Sequence, residues 1–183
     1  GLGLSQNVID PPRPYPLLAG RAEVYRSFFF GPNVLGVGPT GAIIRRQAFR
    51  EVGGFSGKQY IGDTELWLEL ARRAPVVKIQ PALVWWRQHE GQQIVDERAD
   101  HEVLNRRFAL KLHALDNSED LLTDAERRKA ERYVRYRHAR DLIRLALVRR
   151  KPLTACDLLR TSSLNTSDML RAMIPWRVQG QGR

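Results

Sequence analysis

A change of pattern near Gly91 constrains the fold of this 183-residue chain more than any other sequence feature. Before Gly91, short apolar runs alternate with Gly and Pro, which interrupt helices and turn the backbone. After it, residues from about 94 to 115 and from 123 to 150 have the composition and spacing of helices. We therefore expect an α/β portion over residues 1–93 and an all-helical C-terminal extension over residues 94–183.

The helices of the extension have local start and stop signals. Thr123, followed three residues later by Glu126, forms a capping-box pattern that predicts the start of a long helix. Pro152 predicts its end near Arg150. Two shorter helices are predicted over "PLTACDLLRTS" and "SDMLRAMI", the second with Thr166 or Ser167 as its cap.

The N-terminal portion has weaker and mixed signals. Its Pro-rich start predicts an irregular segment with at most a short helix around "LLAGRAEVYRSFF", and "NVLGVGPTGAIIRR" predicts two short strands around a turn. "RQAFREVGGF" predicts about two helical turns that end at Gly53. "GDTELWLELARRA" predicts an amphipathic helix with acids in its first turn and arginines in its last, and "PVVKIQPALVWWRQH" predicts a strand.

Composition excludes several classes of protein. With 43% hydrophobic residues the chain can bury a core, but no run approaches the roughly 18 to 20 apolar residues of a membrane span. The N-terminal sequence lacks a signal-peptide pattern. The single cysteine, Cys156, excludes an internal disulfide and a cysteine-based zinc site, which suits a reducing compartment. We expect a cytoplasmic protein, with contact to the inner face of a membrane as the open alternative.

Positive charge is concentrated in the extension. The formal net charge is +10, and residues 123–151 hold 11 basic and 4 acidic residues. Such a balance favours anionic partners. The long basic helix has three interpretations: a solvated helix packed on the α/β portion, a surface that lies on anionic lipid, or a nucleic-acid surface. No recognised nucleic-acid-binding motif occurs, so nucleic acid is not an expected partner.

An ordered set of short motifs resembles the second half of family 2 glycosyltransferases, which have the GT-A fold. In that family a strand ending in basic residues is followed by a helix, a Gly-Gly-Phe loop, an acidic motif at a helix start and a strand ending in Arg-x-His. The match covers about residues 33–93, and its pieces occur here as Ile43 to Arg46, Gly53-Gly54-Phe55, Gly62-Asp63 and Arg87-Gln88-His89.

The resemblance implies that Asp63 is the general base of an inverting, hexosyltransferase-type enzyme. Such an enzyme must remove a proton from the acceptor hydroxyl as that oxygen attacks the anomeric carbon, and a positioned carboxylate can do so. An Asp at a helix start is also a common cap, and the two roles are compatible. Gly62 stands where the family usually has Glu.

The resemblance also implies substrate and metal contacts. It makes Gly41, Glu65, Trp86 and Arg87 candidates for substrate binding and His89 a candidate ligand of Mn²⁺ or Mg²⁺. Each has a structural alternative as well: a turn for Gly41, a helix-dipole partner for Glu65, core packing for Trp86 and its neighbour Trp85, and a solvated position for His89.

Two departures from the family pattern limit the expected activity. No Asp-x-Asp, the usual metal motif of the donor half, occurs in the chain, and no Gln-x-x-Arg-Trp of processive synthases occurs either. We therefore expect a fragment that is inactive alone. In the full-length enzyme we expect transfer of a single sugar from a nucleotide-sugar donor to a glycan or lipid-linked acceptor, as in polysaccharide or glycolipid biosynthesis, with the divalent metal bound. The rival hypothesis is a basic helical module that docks a protein, an anionic membrane or a nucleic acid.

Overall fold

The computed structural model of the chain describes residues 15–80 and 100–174, which are mostly helical. These residues form seven α-helices and one small two-stranded sheet. They divide into two compact units, one of residues 15–56 and 63–80, the other of residues 57–62 and 100–174. Both strands belong to the first unit, which is compatible with a mixed portion followed by a helical extension.

The first unit places helices between two strands that pair with each other. Strand β1, Leu17–Ala19, runs antiparallel to β2, Val76–Lys78, and Leu18 lies opposite Val77. The intervening helices are α1 (Arg21–Phe30), α2 (Arg46–Glu51) and α3 (Gly62–Arg73), with a 3₁₀ turn at Pro39–Gly41.

Helix α3 forms as its sequence predicts and is anchored along its length. It buries Leu66, Trp67, Leu68 and Ala71, while Arg72 and Arg73 occupy its last turn. The Tyr25 hydroxyl of α1 donates a hydrogen bond to the Leu68 carbonyl at 3.3 Å. The Arg21 Nε of α1 donates to the Arg72 carbonyl at 2.6 Å, which satisfies an acceptor that the helix end leaves open.

The predicted helix stop at Gly53 is confirmed. Gly53 and Gly54 have φ angles of +84° and +71°, which glycine adopts at little cost. The Gly54 amide donates to the Phe49 carbonyl and the Gly53 amide to the Arg50 carbonyl, the pair of bonds that defines a Schellman motif. Phe55 then folds back onto Phe49, with ring centroids 5.7 Å apart.

The two strands predicted in "NVLGVGPTGAIIRR" are wrong. This segment contains the 3₁₀ turn, and although Ala42 has an extended backbone, no residue of the segment belongs to a strand. Ile43 is almost fully exposed. A β pattern becomes a strand only when another strand satisfies its backbone groups, and here β1 and β2 pair with each other instead. The predicted strand over residues 75–89 begins as β2, and its part from residue 81 onward lies outside the described residues.

The second unit is built around one long helix. Its helices are α4 (Val103–Asp116), α5 (Asp124–Leu147), α6 (Pro152–Thr161) and α7 (Thr166–Ala172). Helix α5 packs against each of the other three. Its Leu142 and Leu145 are buried with Ala155 and Leu158 of α6, and its Tyr136 and Ala139 are buried with Ala172 of α7. The apolar stripe of the basic helix is therefore largely core.

The helix caps of this unit follow the sequence with one correction. Thr123 caps α5 as predicted: its Oγ1 accepts from the Glu126 amide, and Glu126 accepts from the Thr123 amide at 2.9 Å. The cap of α7 is Asn165 and not Thr166 or Ser167. Asn165 Oδ1 accepts from the Asp168 amide at 2.9 Å, and Asp168 accepts from the Asn165 amide at 3.1 Å. The acid three residues after Asn165 makes this reciprocal pair possible.

Among the described residues, no helix combines the length and apolar character needed to cross a bilayer.

Candidate functional site

Asp63 lies in the first turn of α3 with a partly exposed side chain. Because α3 begins at Gly62, Asp63 is inside the helix and not at its cap position. Its Oδ1 accepts from the Thr64 amide at 2.7 Å and from the Thr64 hydroxyl at 3.4 Å. Within the described part of the chain, no hydrogen bond reaches Oδ2. The carboxylate thus satisfies a helix-start amide with one oxygen and leaves the other for a further partner.

Glu65 connects the first turn of α3 to the loop that follows Phe55. The Ser56 hydroxyl donates a short hydrogen bond to a carboxylate oxygen of Glu65. Residues two apart on a helix point in different directions, so Glu65 and Asp63 do not share a face. No local sequence signal indicates the Ser56 contact, since the two residues are nine positions apart and belong to different elements. Its consequence is that Glu65 holds the loop against the helix that presents Asp63.

Trp67 fixes the loop around Gly41 to the same helix. The Trp67 indole Nε1–H donates to the Val37 carbonyl at 2.9 Å. A Cβ on Gly41 would lie 2.4 Å from the Cγ2 atom of Val37, too close for any side chain without movement. Crowding by the Val37 side chain therefore disfavours a larger residue at position 41. Val37 therefore lies beside Gly41 and also accepts the bond from Trp67 of α3.

The other predicted site residues, Trp86, Arg87 and His89, lie outside the described residues, as does Trp85. The predicted metal ligand therefore has no described geometry. In residues 15–80 and 100–174, no group of three or more His, Cys, Asp or Glu side chains is arranged to hold a metal ion. Of the predicted set, the structure places Asp63 and Glu65 on one helical turn and Gly41 in a turn tied to that helix.

A cavity of about 200 Å³ lies between α4 and α5, within the helical unit. Arg127 contributes to its lining and is paired with Asp124 at 2.8 Å and Glu119 at 3.7 Å. The hydrogen bond from Arg127, followed by its positive charge, lowers the pKa of Asp124. The charge of Arg127 is therefore already compensated by neighbouring acids.

Comparisons with known proteins add no relative to this picture. The chain matches no protein-family model, no curated protein and no solved structure. An assignment of activity therefore depends on the chemistry of the chain's own side chains, among which Asp63 combines a rigid mount with an open carboxylate oxygen.

Proposed function

We propose that this chain is the acceptor-side portion of an inverting, GT-A-type glycosyltransferase that transfers one sugar from a nucleotide-sugar donor to an acceptor hydroxyl. The observation that supports this most is the position of Asp63. It follows the Gly53-Gly54 helix stop in the order typical of the resembled family, and one of its oxygens accepts no hydrogen bond from the described residues. The proposed location is cytoplasmic.

In the proposed reaction, Asp63 is the general base. Its carboxylate takes the proton of the acceptor hydroxyl while that oxygen bonds to the anomeric carbon. The bond between this carbon and the nucleoside diphosphate breaks on the opposite face, so the configuration inverts. Asp63 then releases the proton to solvent after the product leaves, which restores the carboxylate and balances the step.

The surroundings of α3 support this role because they fix the carboxylate from several directions. Arg21 and Tyr25 hold the helix from α1, and Trp67 holds the loop at Val37. Ser56 and Glu65 hold the loop that precedes the helix. A general base works best when its supporting residues determine its position before substrate binds, and this network supplies such support.

The exposed face of the sheet supports the proposal that the donor-binding half of the enzyme packs against this chain and completes the donor site. Leu18 and Val77 lie opposite each other in register, and both are exposed. Within residues 15–80 and 100–174 the sheet has two strands, and a two-stranded sheet with an exposed apolar pair is marginal by itself and is stabilised by more strands or a packed helix. We place the donor-binding half there. Trp86 and Arg87 are proposed to contact substrate and His89 to bind Mn²⁺ or Mg²⁺ in the full-length enzyme.

The test is transfer activity of a longer chain that includes the residues encoded before Gly1. Turnover is measured with UDP- and GDP-linked sugars in the presence of Mn²⁺. Asp63→Asn keeps the shape of the side chain but removes the base, so we expect kcat to fall by roughly 100-fold or more while the melting temperature stays close to wild type. Glu69→Gln, on the same helix and paired with Arg72, is the matched control and should leave kcat within about threefold of wild type.

Two results would contradict the proposal. Wild-type kcat in the folded Asp63→Asn variant would remove Asp63 as the base. Absence of turnover with both donor classes in the longer chain would remove the glycosyltransferase assignment. Separately, the 183-residue chain alone is expected to show no turnover, and measurable activity would contradict the proposed division of the donor and acceptor sites.

A further inference from the structure

The turn between α5 and α6 exposes aliphatic side chains beside a cluster of cations. Leu147, Val148 and Leu153 are 75%, 69% and 81% exposed. We refer to residues 144–153 as the α5–α6 tip. Scattered exposed aliphatics are ordinary, but three within seven positions at a helix end form a local apolar surface.

The backbone of the tip explains why these side chains stay outside the core. Leu145 of α5 and Ala155 of α6 face inward in the same apolar cluster. Between them the chain reverses sharply, with the Lys151 amide donating to the Leu145 carbonyl at 3.1 Å and Arg150 at a φ of +54°. Pro152 then starts α6 with its fixed φ. The reversal leaves Leu147, Val148 and Leu153 pointing away from the cluster.

The charge of the tip has one sign. Residues 142–156 contain four basic residues and no acid, and all four of them, Arg144, Arg149, Arg150 and Lys151, are exposed. His101 lies beside them, with its Nε2 2.9 Å from the Lys151 Nζ. Burial, then the positive charges of Lys151 and Arg149, lower the pKa of His101. The positive charges of Lys151 and Arg149 therefore both disfavour protonation of the His101 ring.

We propose that the α5–α6 tip binds the surface of an anionic lipid bilayer, with its aliphatic side chains in the interfacial layer and its cations on the headgroups. Proteins bind anionic bilayers through exposed apolar side chains, which enter the interfacial layer, and through polybasic segments, which are attracted to the headgroups. Nucleic acid would engage the cations but gain nothing from three exposed aliphatics. In this proposal the membrane contact is made by the tip and not by the whole length of α5 lying along the bilayer. The apolar stripe of α5 is buried against α4, α6 and α7, so it is not available to lipid. The proposal is independent of the enzymatic one.

The experiment is co-sedimentation of the 183-residue chain with vesicles of phosphatidylcholine alone or mixed with phosphatidylserine. We expect binding only to the anionic vesicles. The variant Arg149→Gln/Arg150→Gln/Lys151→Gln should bind about 100-fold more weakly, since each cation near an anionic surface contributes roughly fivefold. The control Arg128→Gln/Lys129→Gln/Arg132→Gln removes the same charge from exposed positions near the other end of α5 and should weaken binding less than about fivefold.

A second variant tests the aliphatic part of the tip. Leu147→Ser/Val148→Ser keeps every charge and should weaken vesicle binding by roughly tenfold or more. Its binding to a single-stranded oligonucleotide should equal that of wild type. Equal losses in the two charge variants would overturn the proposal in favour of general attraction to basic residues. Vesicle binding that ignores the serine substitutions would identify the tip as a polyanion site and overturn it as well. Helicity measured by circular dichroism confirms that each variant is folded.

Discussion

At the scale of single residues, His138 is the least expected side chain of the helical unit. It lies on α5, only 5% exposed, and its ring stacks on Phe108 of α4 with centroids 4.2 Å apart. Among the described residues its Nε2 has no hydrogen-bond partner. Burial, assisted by the positive charge of Lys111, lowers the pKa of His138 to about 4. The imidazole is therefore neutral at physiological pH, and it packs as an apolar ring.

This environment predicts a pH-dependent stability. The unfolded chain binds a proton on His138 near its ordinary pKa of about 6.5, and the folded chain binds it only near 4, so acid favours the unfolded state between these values. The neutral His138 ring contributes its full share to the free energy of unfolding above about pH 6.5. About 3 kcal/mol of this free energy is lost as the pH falls toward 4. The measurement is urea unfolding at pH 7 and pH 4.5 for wild type and His138→Phe.

His138→Phe should reduce the difference in the free energy of unfolding between pH 7 and pH 4.5, because phenylalanine keeps the stack on Phe108 but takes up no proton. His113→Gln is the matched control for the loss of a histidine, since His113 is exposed on α4 and does not belong to the stack of His138 on Phe108. Carboxylates also titrate in this range and change the stability of every variant. The free energy of unfolding of each variant is therefore compared with that of wild type at the same pH. An equal loss of stability in wild type and His138→Phe would contradict the prediction.

At the scale of elements, local signals predicted the cap at Thr123 and the helix stop at Gly53, whereas the cap of α7 and the contacts between distant residues escaped prediction. The cap at Thr123 and the stop at Gly53 depend on neighbours within a few positions, so the sequence was sufficient. The pairing of β1 with β2 joins residues far apart along the chain, and no local pattern identifies the partner. The candidate site shows the same division: the place of Asp63 on a helix start was predicted, and the bond from Ser56 to Glu65 was not.

The capping box of α5 gives a prediction at this scale. Thr123→Ala removes the hydroxyl oxygen that accepts a hydrogen bond from the Glu126 amide. We expect this substitution to lower the free energy of unfolding by about 1 kcal/mol. Thr123→Ser keeps the oxygen and should cost less than half as much. Urea denaturation followed at the far-ultraviolet helix signal measures both. A serine variant as destabilised as the alanine variant would show that the methyl group, and not the cap, is responsible.

At the scale of the whole molecule, the two compact units each have buried apolar side chains of their own. In the first unit, Leu68 of α3 is buried and its carbonyl accepts from the buried Tyr25 of α1. In the second, Leu142 of α5 is buried within the cluster shared with α6. Compact units with separate cores can open separately, and amide exchange reports such opening by region.

We therefore expect Leu142→Ala and Leu68→Ala to act on different parts of the chain. Each deletes most of a fully buried leucine and should cost about 2 to 5 kcal/mol in its own unit. Hydrogen exchange measured by mass spectrometry should then accelerate by about 30-fold or more in α4–α7 for Leu142→Ala, and in α1 and α3 for Leu68→Ala, with the other unit near wild type. If either substitution accelerates exchange equally in both units, they unfold as one cooperative body. The position of Asp63 on α3 would then depend on the helical extension as much as on its own unit.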